Sequence, residues 1–138
     1  MIRVLVMLLT LASGRLCAQT TDSLVSAAQR AARAWRAHDF GALVAGSREV
    51  SLHLPGADPS QPVRAAQAAE LLRAFAGQAK ELDVEVEVAR HVDSTRAYVE
   101  MHRTYEMRPG AERRAETLYL GLRRDGMVYR VSEIRIVR

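Results

Sequence analysis

The sequence predicts an α+β domain in which N-terminal helices lie on the concave face of a strongly bent antiparallel sheet. Three observations carry this expectation. Leu24, Ala28, Ala31 and Trp35 are spaced by four, three and four positions, one face of a helix. The second half alternates apolar and polar residues between turn signals, as half-buried strands do. Two hairpins defined by those turns then place the same apolar residues on one face, an agreement that a slip of one residue would destroy.

The elements follow in order. Asp22–Ala37 reads as the first helix, with Arg30, Arg33 and Arg36 opposite its apolar stripe. His38-Asp39 interrupts it, and Asp39 is placed to cap a short second helix through Phe40, Leu43 and Val44. Glu49–Leu54 alternates Val50, Leu52 and Leu54 with polar residues and reads as a strand, and Pro55–Ser60 as a loop. Val63–Ala76 is the third helix, with Ala68, Leu71, Leu72 and Phe75 facing inward and Gly77 stopping it. Four strands complete the chain, separated by Asp93-Ser94, Pro109-Gly110 and Asp125-Gly126, the last a strong hairpin dipeptide. The expected order is therefore α-α-β-α-β-β-β-β, with neither an internal repeat nor a low-complexity segment.

The turns predict a register. Closing a two-residue hairpin at Asp93-Ser94 sets Val86 against Met101, Val88 against Val99, Glu85 against His102 and Glu87 against Glu100. Closing the next at Pro109-Gly110 sets Met101 against Leu118, Val99 against Leu120 and Arg103 against Glu116. The common face holds Val84, Val86, Val88, Val99, Met101, Leu118, Leu120 and Leu122. The last strand departs from this. Val131 falls on the common face and Glu133 opposite Leu118, but Ile134 and Ile136 fall on the other face. Either a β-bulge near Arg130–Ser132 or a second buried face accounts for that.

At the N-terminus, Arg3 precedes the nine-residue apolar run Val4–Ala12, and Ala18 precedes Gln19. This pattern predicts a signal peptide over residues 1–18 and one mature domain over 19–138, exported to the periplasm or secreted. The run is too short to span a membrane, which takes about 20 apolar residues. Lipidation at Cys17 is the alternative, disfavoured by Arg15-Leu16 just ahead of it. Removing residues 1–18 takes the only cysteine and lowers the net charge from +4 to +2. The mature domain then has no disulfide or thiol chemistry. Nineteen of its parent chain's 20 basic residues are Arg, interleaved with acids and not gathered in a patch, so nucleic acid is not an expected partner.

The segments Ala34–Leu43 (Ala-Trp-Arg-Ala-His-Asp-Phe-Gly-Ala-Leu) and Tyr129–Ile136 resemble the opening and closing elements of nuclear transport factor 2-like, SnoaL-like domains. Val50-Ser51-Leu52-His53-Leu54-Pro55-Gly56 and the helix after it are similar to a bacterial family of secreted domains of unknown function within that superfamily. The resemblance covers roughly residues 22–138 and implies a cystatin-like cone, a curved sheet wrapped around helices. In the isomerases and dehydratases of that superfamily the cone holds an Asp or His base, the first strand supplying an inward carboxylate. Here that strand has no acid, and His53 alternates with Leu52 and Leu54, so it faces away from the cone. No catalytic residue, metal ligand or cofactor is therefore assigned.

The expected ligand site is the polar end of the cone, with Arg103, Glu116 and Glu133 beside Met101 and Trp35. Arg103 would hold an anionic group by its planar fork while apolar walls accept the ligand body. A wet cross-strand salt bridge is the competing reading for the pair, as is an ordinary core position for Trp35 and Met101. On the outer face, Tyr98, Tyr119, Ile134 and Ile136 would form a homodimer surface of the kind the resemblance implies. Three function classes follow: a small-ligand binding module, a dimeric interaction domain with a filled cone, and an isomerase or dehydratase.

Overall fold

The computed structural model describes residues 23–138, so the expected signal peptide and its cleavage site lie outside the described residues. Helix α1 spans Leu24–Arg36, and Ser23 caps it by accepting from the Ser26 N–H. The expected stripe of Leu24, Ala28, Ala31 and Trp35 is buried. The helix ends in a Schellman arrangement: His38 N–H donates to the Trp35 carbonyl and Asp39 N–H to Ala34. His38 takes the left-handed position with φ 53°, a place usually given to glycine. Helix α2, Phe40–Leu43, follows immediately, its N–H at Ala42 capped by Asp39 as expected.

Strand β1 is Glu49–His53, with Val50 and Leu52 buried. A two-residue strand β2, Val63–Arg64, pairs with it and precedes α3, Ala65–Ala76. The sequence reading had placed Val63 and Arg64 inside the helix. Ala68 and Leu72 face the core as expected, but Leu71 is exposed, lying one position beyond the buried stripe. The last four strands are β3, Lys80–His91, β4, Arg96–Glu106, β5, Arg113–Asp125, and β6, Val128–Val137. The curved, unclosed sheet has the order β2-β1-β6-β5-β4-β3, antiparallel except where β1 runs parallel to β6. Trp35, Phe40, Val99, Met101, Leu118, Leu120 and Ile134 fill the space between helices and sheet. Among the described residues no helix is long and apolar enough to cross a membrane.

Between β4 and β5 the register is the expected one throughout, including Met101 with Leu118, Val99 with Leu120 and Arg103 with Glu116. Between β3 and β4 it holds at Val86–Met101 and Glu85–His102 and then shifts. Glu87 bulges out, so Ala89, not Val88, faces Val99, and Val88, not Glu87, faces Glu100. A second irregularity, at Leu82, reverses the faces of the residues before it.

The β5–β6 hairpin corrects the sequence reading in two steps. Its loop residues are Gly126-Met127, Asp125 pairing with Val128, and Gly126 supplies the positive φ of 60°. That displaces the pairing by two positions and keeps Val131 inside. Ser132 is then the extra residue between the Leu122–Val131 and Gly121–Glu133 pairs, a bulge within the expected Arg130–Ser132 stretch. Beyond it every face inverts. Ile134 and Ile136 enter the core opposite Leu120 and Leu118, and Glu133 moves to the outer face opposite Gly121.

Candidate functional site

Four of the five expected ligand residues do come together. Arg103 on β4 and Glu116 on β5 face each other within the core, Met101 lies two residues from Arg103 on the same face, and Trp35 approaches from α1. Glu133 does not join them, because the Ser132 bulge turns it outward to His53 Nε2 at 3.3 Å and Arg135 at 3.3 Å. The same contact places His53 outside the cone, as the alternation of its strand required.

Arg103 is 1 % exposed and held by the protein's own groups. Its Nη2 and Nε donate side-on to Glu81 Oε1 at 2.6 Å and Oε2 at 3.1 Å, and its Nη1 donates to Glu116 Oε2 at 3.1 Å. The guanidinium carbon lies 3.8 Å from the centre of the Tyr105 ring and 5.4 Å from that of Trp35. Such a planar fork, paired side-on and stacked between aromatic faces, is what makes Arg tolerable at depth.

The carboxylates are equally occupied. Glu81 Oε1 also accepts from Trp35 Nε1 at 3.3 Å and lies 3.1 Å from His38 Nε2. Glu116 Oε1 accepts from the Tyr105 hydroxyl at 2.8 Å and from Arg138 Nε at 3.4 Å. Burial, and then the bond to Glu116, pushes the Tyr105 phenol above its usual range. Two buried carboxylates thus share Arg103, and Arg138 at the rim supplies the second positive charge.

Sequence reasoning missed Glu81, Tyr105, His38 and Arg138 in this cluster. Tyr105 was within reach, since it shares its strand face with Met101 and Arg103. Glu81 was not: strict alternation back from Val84 puts it outside, and only the irregularity at Leu82 brings it opposite Tyr105. His38, which the sequence marks only as the end of the first helix, stacks on Phe40, ring centres 5.5 Å apart, and reaches Glu81.

Beside the cluster lies a cleft of about 80 Å³, lined by Phe75, Ala79, Met107, Arg114 and Arg138. On the outer face Tyr98 and Tyr119 stack with centres 5.9 Å apart, next to a groove of about 510 Å³ that Gly121, Glu133, Arg135 and Val137 also line. Desolvation, with a bond to Glu100, pushes the Tyr98 phenol up to about 12. Ile134 and Ile136, expected on this face, contribute nothing to it because the Ser132 bulge buries them.

No protein-family profile and no curated protein matches the sequence. Solved structures do match its fold. A DUF4783 family protein from Bacteroides uniformis superposes with a TM-score of 0.66 at 14 % identity, over 80 % of this chain and 94 % of that one. A ketosteroid isomerase-like protein from Erwinia carotovora atroseptica gives 0.65 at 16 %, over 82 % and 91 %. An NTF-2 like protein of unknown function from Shewanella oneidensis gives 0.58 at 11 %, over 81 % and 93 %. At these identities the likeness is one of fold. The chain has the nuclear transport factor 2-like fold that its opening and closing segments resembled.

Proposed function

We propose that this chain is an exported, non-catalytic interaction domain whose cone is filled by its own side chains and whose outer sheet face pairs with a second copy. The observation that carries the reading is the internal pairing of buried Arg103. All three of its nitrogens donate to Glu81 and Glu116, and every oxygen of those carboxylates accepts at least one hydrogen bond. A guanidinium so paired and only 1 % exposed is closed to a ligand anion, and carboxylates so engaged are poorly placed to take a substrate proton. The adjoining cleft of about 80 Å³ suits a few waters, each occupying roughly 30 Å³, better than a ligand body.

The outer face supports the second half of the proposal. The Tyr98–Tyr119 stack supplies amphipathic contact area, and Val137 is 44 % exposed beside it. Glu133 and Arg135 stand two residues apart, so a twofold axis between them would let each copy's Arg meet the other's Glu. Export rests on the Arg3-led apolar run and Ala18 before Gln19.

Light scattering coupled to size exclusion tests the pairing. The wild-type chain should run as a dimer, and Tyr119→Glu, which puts a charge in the aromatic stack, should run as a folded monomer. A monomeric wild-type chain across the micromolar range overturns it. N-terminal sequencing of protein recovered outside the cytoplasm should begin at Gln19.

A further inference from the structure

A third concavity, larger than the two already described, lies away from the cone's polar end, between α1, α2 and the β5–β6 hairpin. This groove encloses about 780 Å³, within the range of small-molecule sites. Its floor is Ala27, Ala31, Leu43, Leu122, Tyr129 and Val131, each buried yet retaining 3–7 % exposure. It exists because α1 packs on β3 and β4, leaving a gap toward the hairpin that its alanine side chains are too short to fill.

The rim is cationic. Arg30, Arg33 and Arg130 line it, and among the described lining residues the carboxylate is Asp39, whose Oδ1 already caps α2. Arg130 is held in position: its Nη1 donates to the Ala45 carbonyl at 3.2 Å, and its guanidinium lies against Gly46. A side chain at position 46 would collide with that guanidinium, and the φ of 75° there also requires glycine. Among the described residues, Arg130 Nε is the buried side-chain nitrogen without a hydrogen-bond partner. Asp125 Oδ2 is 3.8 Å from it, close enough for attraction and too far to accept the proton. A buried donor left in this state is costly, and a better-placed carboxylate relieves it.

We propose that this groove binds a free single-chain carboxylate of the fatty-acid class, its chain along the alanine floor and its carboxylate displacing Asp125 at Arg130. The side-on geometry required is the one Glu81 makes with Nε and Nη2 of Arg103. Charge selects this occupant over two others. Residues 1–22 carry Arg3 and Arg15 with Asp22 their only acid, and the whole chain is net positive, so neither the chain's own leader nor a second copy complements a cationic rim. The proposal is independent of whether the cone is filled or the chain dimeric.

The test titrates the purified protein with dodecanoate below its micelle concentration, read by calorimetry and by backbone amide shifts. Saturable binding is expected, with the shifts centred on Ala31, Ala34 and Val131. Dodecyltrimethylammonium should bind about tenfold more weakly or worse. Arg130→Met and Arg33→Glu should each weaken dodecanoate by about tenfold, and Ala34→Phe, which fills the groove, should abolish it. Circular dichroism checks the fold of each variant, and Arg33→Glu, altering an exposed side chain, serves if the other two misfold. No saturable binding, equal affinity for the cationic amphiphile, or shifts centred on Arg103 and Glu116 would each overturn the proposal. So would binding to phosphatidylglycerol vesicles without binding to dodecanoate, which makes the rim a membrane-facing surface, or chain association in place of ligand uptake.

Discussion

Glu81 meets Arg103 side-on at 2.6 and 3.1 Å, although the two residues stand on adjacent strands at positions that strict alternation would put on opposite faces. The irregularity at Leu82 makes the contact possible. It converts a surface carboxylate into the partner of a guanidinium that is 1 % exposed. The sequence pairs Arg103 with Glu116 alone, whereas in the structure two buried carboxylates converge on its guanidinium.

Arg103→Met should destabilise the protein by about 3–5 kcal/mol, because it leaves Glu81 and Glu116 buried together without their cation. Replacing all three as Arg103→Met, Glu81→Leu and Glu116→Leu should be milder than Arg103→Met alone, since no uncompensated charge remains. Urea unfolding of the single and triple variants decides this. A single variant as stable as wild type would mean that water reaches the cluster and that the pair acts as a surface salt bridge.

The fold was legible wherever one period ran uninterrupted. The α1 stripe and the whole β4–β5 register follow from spacing alone, since neither contains an irregularity. Alternation breaks at Leu82 and Glu87 with no signal in the sequence, and at Ser132 within the Arg130–Ser132 stretch where a bulge is one of the two expected explanations. Two residues of the candidate site were lost with them. Glu81 was invisible because Leu82 intervenes, and Glu133 was misplaced because Ser132 does. Only at Ser132 did the sequence register a conflict, through Val131 and Ile134 demanding the same face.

Deleting Ser132 tests whether β6 needs that bulge. Removing the extra residue puts Glu133 directly after Val131, so strict alternation keeps Glu133 outside opposite Gly121 and Ile134 and Ile136 inside opposite Leu120 and Leu118. The deletion variant should therefore fold cooperatively, with a sharp thermal transition near that of wild type. Loss of that transition would show that the bulge itself, with the Ser132 hydroxyl bonded to the Gly121 carbonyl, is needed to shape the sheet.

The two displaced tyrosines predict an alkaline limb to stability. Both phenols titrate above the ordinary value of 10.0 in the folded protein, Tyr98 at about 12, while the unfolded chain titrates at the ordinary value. A raised folded value means that the folded state holds the proton more tightly. The associated stability is complete below pH 10 and falls as pH rises toward about 12. Tyr98→Phe and Tyr105→Phe should each flatten part of that fall in urea titrations. Tyr105→Phe should also cost about 1–2 kcal/mol at neutral pH by removing a donor from Glu116.

Asp93 predicts the opposite, acid, limb. Its carboxylate accepts first from the Thr95 N–H at 2.9 Å, and also from Arg96 N–H and Nε at 2.8 Å each, which holds it well below the usual carboxylate range. A lowered folded value contributes stability that is present above pH 3.8 and lost as pH falls through the folded value. The group is exposed, so the effect is local to the turn between β3 and β4. Amide exchange at Thr95 and Arg96 should quicken in Asp93→Ala at neutral pH. Unchanged exchange there would mean that the strands alone set the turn.

His38 offers the sharpest separation of backbone strain from side-chain contact. It occupies the left-handed region at φ 53°, where a side chain costs about 1 kcal/mol relative to glycine. Against that, its ring stacks on Phe40 and meets Glu81 at 3.1 Å, a contact worth about 1 kcal/mol. His38→Gly loses the contact and relieves the strain, so its stability should stay close to wild type. His38→Ala loses the contact and keeps the strain, so it should be about 1–2 kcal/mol less stable than wild type. The gap between the two variants in urea unfolding measures the strain, and the gap between His38→Gly and wild type measures how far the Glu81 contact exceeds it. Equal stability of the Gly and Ala variants would mean that α1 ends without strain and that the position's backbone geometry relaxes once the imidazole is gone.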